Sequence, residues 1–313
     1  MIKNITIKAK QSGVRLDAAL FTEFPSSSKA FIKAAIETGG VLVNSRRTAK
    51  GLKLKGGENI EIIELLEQSD NTVTPTPGAK LEVVFEDDSL VAFDKPSGMP
   101  VQPLDCRETG TLMNAAVARY PECAGIGDSP LMAGALHRID ADTSGLVIAA
   151  RTQSAFEHLR AQFSRQTVEK TYLALVEGAV AVGGTLENDL AHDPTLPFCR
   201  MIDAKHNRLT VAQRSKLKTL HAVTKFEPIG MRTVECEVQT LLKVTIFTGV
   251  THQIRAQLAF AGHHIINDTL YGAFAVENRT GHCLHALSAK FIHPASETAA
   301  VLTTRHPEWA LMR

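Results

Sequence analysis

No two of the chain's five cysteines stand in a C-x-x-C arrangement. Cys106, Cys123, Cys199, Cys236 and Cys283 are scattered and odd in number, which argues against a disulfide framework and against a cysteine zinc site. Such usage suits a reducing cytoplasm, where the protein is expected to reside. No apolar run approaches the ~20 residues that a bilayer span needs. The opening MIKNITIKAK is basic but lacks the apolar stretch of a secretory signal. G-x-S-x-G and H-E-x-x-H are both missing, so the usual supports for a serine or zinc hydrolase are gone. What remains is 44% hydrophobic and 21% charged, a globular composition with chain enough for one large domain or two unequal ones.

Excess charge is also scarce, at a net +1, but the balance is uneven. Residues 1–63 hold eleven Lys and Arg against five Asp and Glu, and the remainder holds 23 against 28. Within the basic segment, GVRLDAALFTEF places Leu16, Ala19, Leu20 and Phe24 at helical spacing before Pro25. SSSKAFIKAAIETGG supplies a serine cap, a second helix and a Gly39-Gly40 stop. VLVN reads as a short strand, and LKLKGGENIEII as strand, Gly-Gly turn and strand. Lys29 and Lys33 share a helix face, and with Arg46, Arg47, Lys50 and Lys53 they are candidates for phosphate contacts. The segment 13–63 resembles the αL RNA-binding motif, although Asn44-Ser45 and Gly57-Glu58 depart mildly from its usual turns.

The polar stretch around EQSDNTVTPTPGAK reads as a linker. The expected division is therefore an RNA-binding domain over 1–65, a linker over 66–80 and a larger domain over 81–313. FEDDSLVAFDKPSGMPV predicts two strands about an acidic turn, ended by a Pro-Ser-Gly loop. In SAFEHLRAQF, Ser154 and Glu157 suggest a capping box, with Phe156, Leu159 and Phe163 on one stripe. TVEKTYLALVEG alternates and puts Lys170 and Tyr172 on one strand face. Residues 183–225 carry no pattern that assigns them.

HRIDADTSGLVIAA, residues 137–150, sets a charged, polar stretch before a run of aliphatics that reads as an interior strand. Asp140 therefore belongs at a strand mouth. Burial there raises a carboxyl pKa by as much as ~3–5 units, and a contacting guanidinium lowers it by about 1–3. Arg255 is the candidate partner. In TGVTHQIRAQLAFAGHHIINDTLYG, Thr251 is expected to cap a helix that Gly262 ends, with Ile254 and Leu258 facing the core and His252 and Arg255 on a neighbouring face. Asp142 begins the turn, Thr143 and Ser144 bond nearby backbone, and Gly145 permits the bend.

These segments together resemble the RluA-type pseudouridine synthases. HRIDADTSGL matches the family's leading signature, KTYLALVEG its second motif and TGVTHQIRAQLAFAGHHIINDTLYG its third, while FEDDSLVAFDKPSGMPV and LHALSAKFIHP fit the flanking segments. The resemblance implies an α+β fold with a mixed, mostly antiparallel sheet flanked by helices around a cleft. It implies isomerisation of uridine to pseudouridine in RNA without cofactor or metal. Asp140 corresponds to the catalytic aspartate, Tyr172 to the aromatic residue stacking on the target base, and Arg255 to the arginine paired with the aspartate. His137, Arg138, Thr143, Ser144 and His252 are assigned to substrate binding. Large-subunit ribosomal RNA is the expected substrate, transfer RNA the next, and the protein is expected to be a monomer. Val250 stands where the family has arginine, and Asp94 where it has asparagine, so the RNA-facing side is expected to lose a cation and gain an anion. A non-catalytic RNA-binding or ribosome-assembly protein is the rival reading. A kinase-like His-Arg-Asp loop is excluded, because Ile139 intervenes and no Asp-Phe-Gly follows.

Overall fold

The computed structural model describes residues 1–197, 199–205 and 209–311. They form two compact units, Met1–Thr72 with Asp105–Arg107, and Val73–Leu104 with Glu108–Arg313. In the first, β1 (Ile2–Lys8), α1 (Leu16–Glu23), α2 (Lys29–Thr38), β2 (Val41–Val43) and β3 (Asn59–Leu65) follow in chain order. The strands make an antiparallel sheet in the order β1-β3-β2. Leu16 and Leu20 of α1 share one apolar cluster with Ile32 and Ile36 of α2 and Ile60 and Ile62 of β3. Ser28 Oγ accepts the Phe31 N–H at 3.1 Å to start α2, and Gly39, at φ 88°, stops it.

The strand expected at Leu52–Lys55 does not form; β3 pairs instead with β1, whose alternation was hidden in the basic opening. The expected linker is divided between the units. Gln68–Asp70 form a single 3-10 turn, and the terminal ammonium of Met1 pairs with Asp70 at 2.6 Å, while Val73 is buried in the second unit's core.

The second unit contains β4 (Val83–Glu86), β5 (Leu90–Lys95), α3 (Leu112–Arg119), β6 (Ser144–Ala150), α4 (Gln153–Ser164), β7 (Glu169–Glu177) and β8 (Gly184–His192). It continues with β9 (Met201–Asp203), α5 (Val211–Arg214), β10 (Leu220–Val234), β11 (Glu237–Ile246), α6 (Gln253–Phe260), β12 (Leu284–Ile292) and β13 (Ala299–Thr303). Ten strands form one sheet in the order β4-β5-β6-β12-β7-β11-β10-β8-β9, with β13 on β12. Every pairing is antiparallel except β6 with β12, so the fold is the expected α+β arrangement around a mixed, mostly antiparallel sheet.

β6 lies between β5 and β12 and is buried from Gly145 onward, as its aliphatic run requires. Gly145 has a reason beyond the bend assigned to it. At φ 109° it lets β6 approach β12 so closely that a Cβ would lie 2.2 Å from the Ala286 carbonyl oxygen. Two helix caps differ from expectation. α4 is capped by Thr152, whose Oγ1 accepts the Ala155 N–H at 3.2 Å, and Ser154 sits inside the helix. α6 begins after His252, in a left-handed conformation at φ 51°, and the Gln253 carboxamide oxygen accepts the Val250 N–H in place of a Thr251 cap.

Candidate active site

A cleft of about 650 Å³ opens where the loop before β6 meets the cleft face of β7, the side of α4 and the start of α6. Asp140, Tyr172 and Arg255 all line it. Arg255 Nη1 donates to Asp140 Oδ2 at 2.7 Å. The same guanidinium donates through Nε and Nη2 to Asp268 Oδ2 and Oδ1, at 2.7 and 2.8 Å. Arg255 therefore spans two carboxylates, one side-on and enclosed, the other open to the cleft. The side chains are 2% exposed at Asp268 and 26% at Asp140. Burial opposes the charge on Arg255, but the hydrogen bonds and charges of Asp268 and Asp140 outweigh it and hold its pKa above the usual range. A second hollow, about 320 Å³, shares Asp140, His252 and Arg255 with the cleft and adds Asp268 and His282.

His252 lies at 3.8 Å from Asp140 through Nε2. Its Nδ1 meets the Tyr271 hydroxyl at 3.1 Å, and that hydroxyl also accepts the Met201 N–H at 2.8 Å. With the phenol donating to Nδ1, the imidazole proton sits on Nε2, facing the carboxylate. Burial lowers the His252 pKa, against the charge of Asp140, which favours this neutral form. Tyr271 also supports Arg255, whose guanidinium lies over its ring at 5.2 Å from the centroid. Tyr172 projects from β7 on the face shared with Lys170. Burial, and then the charge of Asp140, push its phenol above the ordinary range, so it stays protonated.

The remaining predicted residues divide by location. Arg138 is exposed on the cleft wall and has no ion pair among the described residues. His137 stacks on Phe163, ring centroids 5.2 Å apart, and its Nε2 accepts the Ile148 N–H at 3.2 Å. Burial takes the His137 pKa down to about 3, consistent with a neutral acceptor. Thr143 lines the cleft, with Oγ1 bonded to His282 Nε2 at 2.8 Å. Ser144 lines neither hollow and bonds His285 Nδ1 at 2.8 Å. Val250 lines the cleft, whereas Asp94, expected to add an anion there, is not among the residues lining it.

In the first unit Lys29, Lys33, Arg46, Arg47 and Lys53 are exposed, and Lys50 is half-buried and paired with Glu37 at 3.3 Å. Arg47 lies against Gly39, so Arg47 and Lys50 flank the C-terminal end of α2, where its dipole favours cations. Lys29 is at the other end, roughly 15 Å away at 1.5 Å per residue. Lys29, Lys33, Arg47 and Lys50 are therefore spread along α2, while Arg46 pairs with Val43 and Lys53 with Arg15 through their backbones.

Residues 89–260 match the family model described as RNA pseudouridylate synthase. The chain belongs to this family. It is 31% identical to the ribosomal large subunit pseudouridine synthase D of Neisseria meningitidis serogroup A over 306 residues, covering 93% of this chain and 75% of that one. Identity to the protein of the same name from Nitrosomonas europaea is 32%, over 93% of this chain and 81% of that one. The solved structure titled human RNA pseudouridylate synthase domain containing 1 shares the fold, with a TM-score of 0.59 at 20% identity over 74% of this chain and 86% of that one.

Two residues that hold this site were not assigned a role from sequence. Asp268 lies in the HHIINDTLYG stretch, and counting donors points to it: a buried guanidinium has five N–H groups, more than one carboxylate can satisfy. Lys95 is fully buried, and its ammonium donates to the carbonyls of Pro96, Met99 and Ala141 at 2.8, 2.7 and 2.8 Å. It ties the Pro-Ser-Gly loop to the residue that follows Asp140, and Ser97 Oγ adds a bond to the Asp142 carbonyl at 2.7 Å. Burial lowers the Lys95 pKa to about 8, against the charges of Asp142, Asp140 and Asp94.

Proposed function

We propose that this protein isomerises uridine to pseudouridine in large-subunit ribosomal RNA, with Asp140 as the reacting carboxylate. One observation carries the reading: among the described residues lining the cleft, Asp140 is the only carboxylate, and it is accompanied by Arg138, Arg160, Lys170 and Arg255. Such a cleft attracts a polyanion while presenting a single carboxylate to it. Its volume is in the range of pockets that enclose a small ligand, and so admits one flipped nucleotide. The names of the bacterial relatives support ribosomal RNA as the substrate.

The reaction breaks the bond from the sugar C1′ to N1, turns the uracil, and joins C1′ to C5. The C5 proton leaves and N1 takes one up, so substrate and product are isomers. A carboxylate assists as nucleophile or base. Arg255, itself anchored by Asp268, aims Asp140 through a charge-assisted hydrogen bond. Tyr172 offers the ring that holds the loosened uracil, and its protonated phenol is a donor. His252 faces the Asp140 carboxylate through Nε2 at 3.8 Å. Arg138 occupies the space that the flipped base vacates or contacts a phosphate. His137, Thr143 and Ser144 act through the loop they fasten, and the α2 cations hold the RNA backbone. No helix among the described residues is long and apolar enough to cross a membrane, in keeping with a cytoplasmic RNA enzyme.

The test is release of tritium from uridines labelled at C5, in large-subunit ribosomal RNA and separately in transfer RNA. Wild-type protein is expected to release tritium from the ribosomal RNA, and Asp140→Asn to release none while still binding it. Activity retained by the variant, or no release by the wild type, overturns the proposal.

A further inference from the structure

Arg200 stands in the turn between β8 and β9, a part of the chain that carries no sequence motif. Its guanidinium lies over the Tyr271 ring, 5.8 Å from the centroid. The Arg255 guanidinium lies 5.2 Å from the same centroid, and the Tyr271 hydroxyl links His252 to the backbone of Met201, the residue after Arg200. One buried aromatic ring therefore sets the place of Arg200 relative to the Asp140–Arg255 pair. Arg200 makes no ion pair among the described residues, and its Nε is buried with no hydrogen-bond partner. Unlike Arg255, whose charge is shared between two carboxylates, Arg200 faces only the Tyr271 ring among the described residues. A guanidinium held against a ring beside a site, with no carboxylate partner among the described residues, is available to an anion that arrives from outside.

Geometry places Arg200 one aromatic ring away from Arg255, outside the lining of the cleft itself. Burial raises the Cys199 thiol, the charge of Asp140 raises it further, and Arg255 and Arg138 oppose the shift. Cys199 thus feels the charges of Asp140 and Arg138, in keeping with that placement. We infer that Arg200 is a phosphate-binding residue that grips the RNA backbone beside the flipped nucleotide. This rests on the RNA isomerase reading above. The planar fork of Arg200 suits two oxygens of one phosphate, and the Tyr271 face keeps it from swinging onto Asp140, where it would compete with Arg255.

The experiment compares wild type, Arg200→Gln and Arg200→Lys on a large-subunit ribosomal RNA transcript. Binding is measured against salt, and tritium release against RNA concentration. Arg200→Gln is expected to weaken binding roughly tenfold, as loss of a charge-assisted contact would. The slope of log affinity against log salt should become shallower by about one. The loss should fall on KM rather than kcat, and Arg200→Lys should recover the slope but only part of the affinity. An unchanged slope and KM in Arg200→Gln overturns the inference, as does a fall in kcat alone, which would mean that Arg200 only props Tyr271. Absence of binding and tritium release in the wild type would instead refute the isomerase reading.

Discussion

The two carboxylates on Arg255 are chemically alike and should fail in opposite ways. Asp268→Asn removes the anion from an enclosed pair with bonds of 2.7 and 2.8 Å. Removing one partner of a buried ion pair costs about 3–5 kcal/mol, and Arg255 would keep only the more exposed Asp140 as its anion. For a domain of this size each kcal/mol moves Tm by about 2–4 °C, so a fall of roughly 6–20 °C is expected. Arg255 would also lose the anchor that sets its plane and turn toward Asp140. A displacement of about an ångström at the reacting group costs on the order of a hundredfold in rate. Asp140→Asn leaves both bonds to Asp268 intact and changes a side chain that is 26% exposed, so Tm should move by no more than about 3 °C while turnover disappears. Thermal unfolding by calorimetry and tritium release from ribosomal RNA measure both arms. Equal stability losses in the two variants, or full turnover by Asp268→Asn, would refute this division of roles.

Burial pushes His282 and His285 down to about 4, well below the imidazole value of 6.5. The unfolded chain then binds more protons between those values, so the stability contributed by their neutral forms is complete above about pH 6.5 and is lost as pH falls toward 4. Each loses roughly 2 kcal/mol by pH 5; denaturant unfolding that is flat between pH 6.5 and 5 would count against it. Val250 lines the cleft without a charge. Val250→Arg is expected to steepen the salt dependence of RNA binding by about one unit of slope, and an unchanged slope would remove position 250 from the RNA path.

What could be read from sequence follows how local the determining physics is. β6 and α2 were readable because their signals are contiguous: an aliphatic run in one, and a serine cap with a terminal glycine in the other. β8 was not, because GTLENDLAH is a largely uncovered strand whose polar residues carry neither alternation nor an aliphatic run. The caps of α4 and α6 were misplaced by one or two residues, since Thr152 and His252 look no different locally from the neighbours that were chosen.

Charge shows the same limit more sharply. Counted along the chain, the residues after 63 are acidic, which makes a poor partner for RNA. Yet the cleft draws Arg138, Arg160, Lys170 and Arg255 from four separate segments, and admits one carboxylate. Asp268 reaches the same guanidinium from behind, where its charge stabilises Arg255 while its side chain stays 2% exposed. An RNA strand meets the field of the surface it touches, and at short range that field is set by which charges are presented and which are enclosed. A sum over sequence weights Asp268 and Asp140 equally. The fold faces one toward the cleft and encloses the other, and this partition turns an acidic stretch of chain into a cationic site with a single carboxylate.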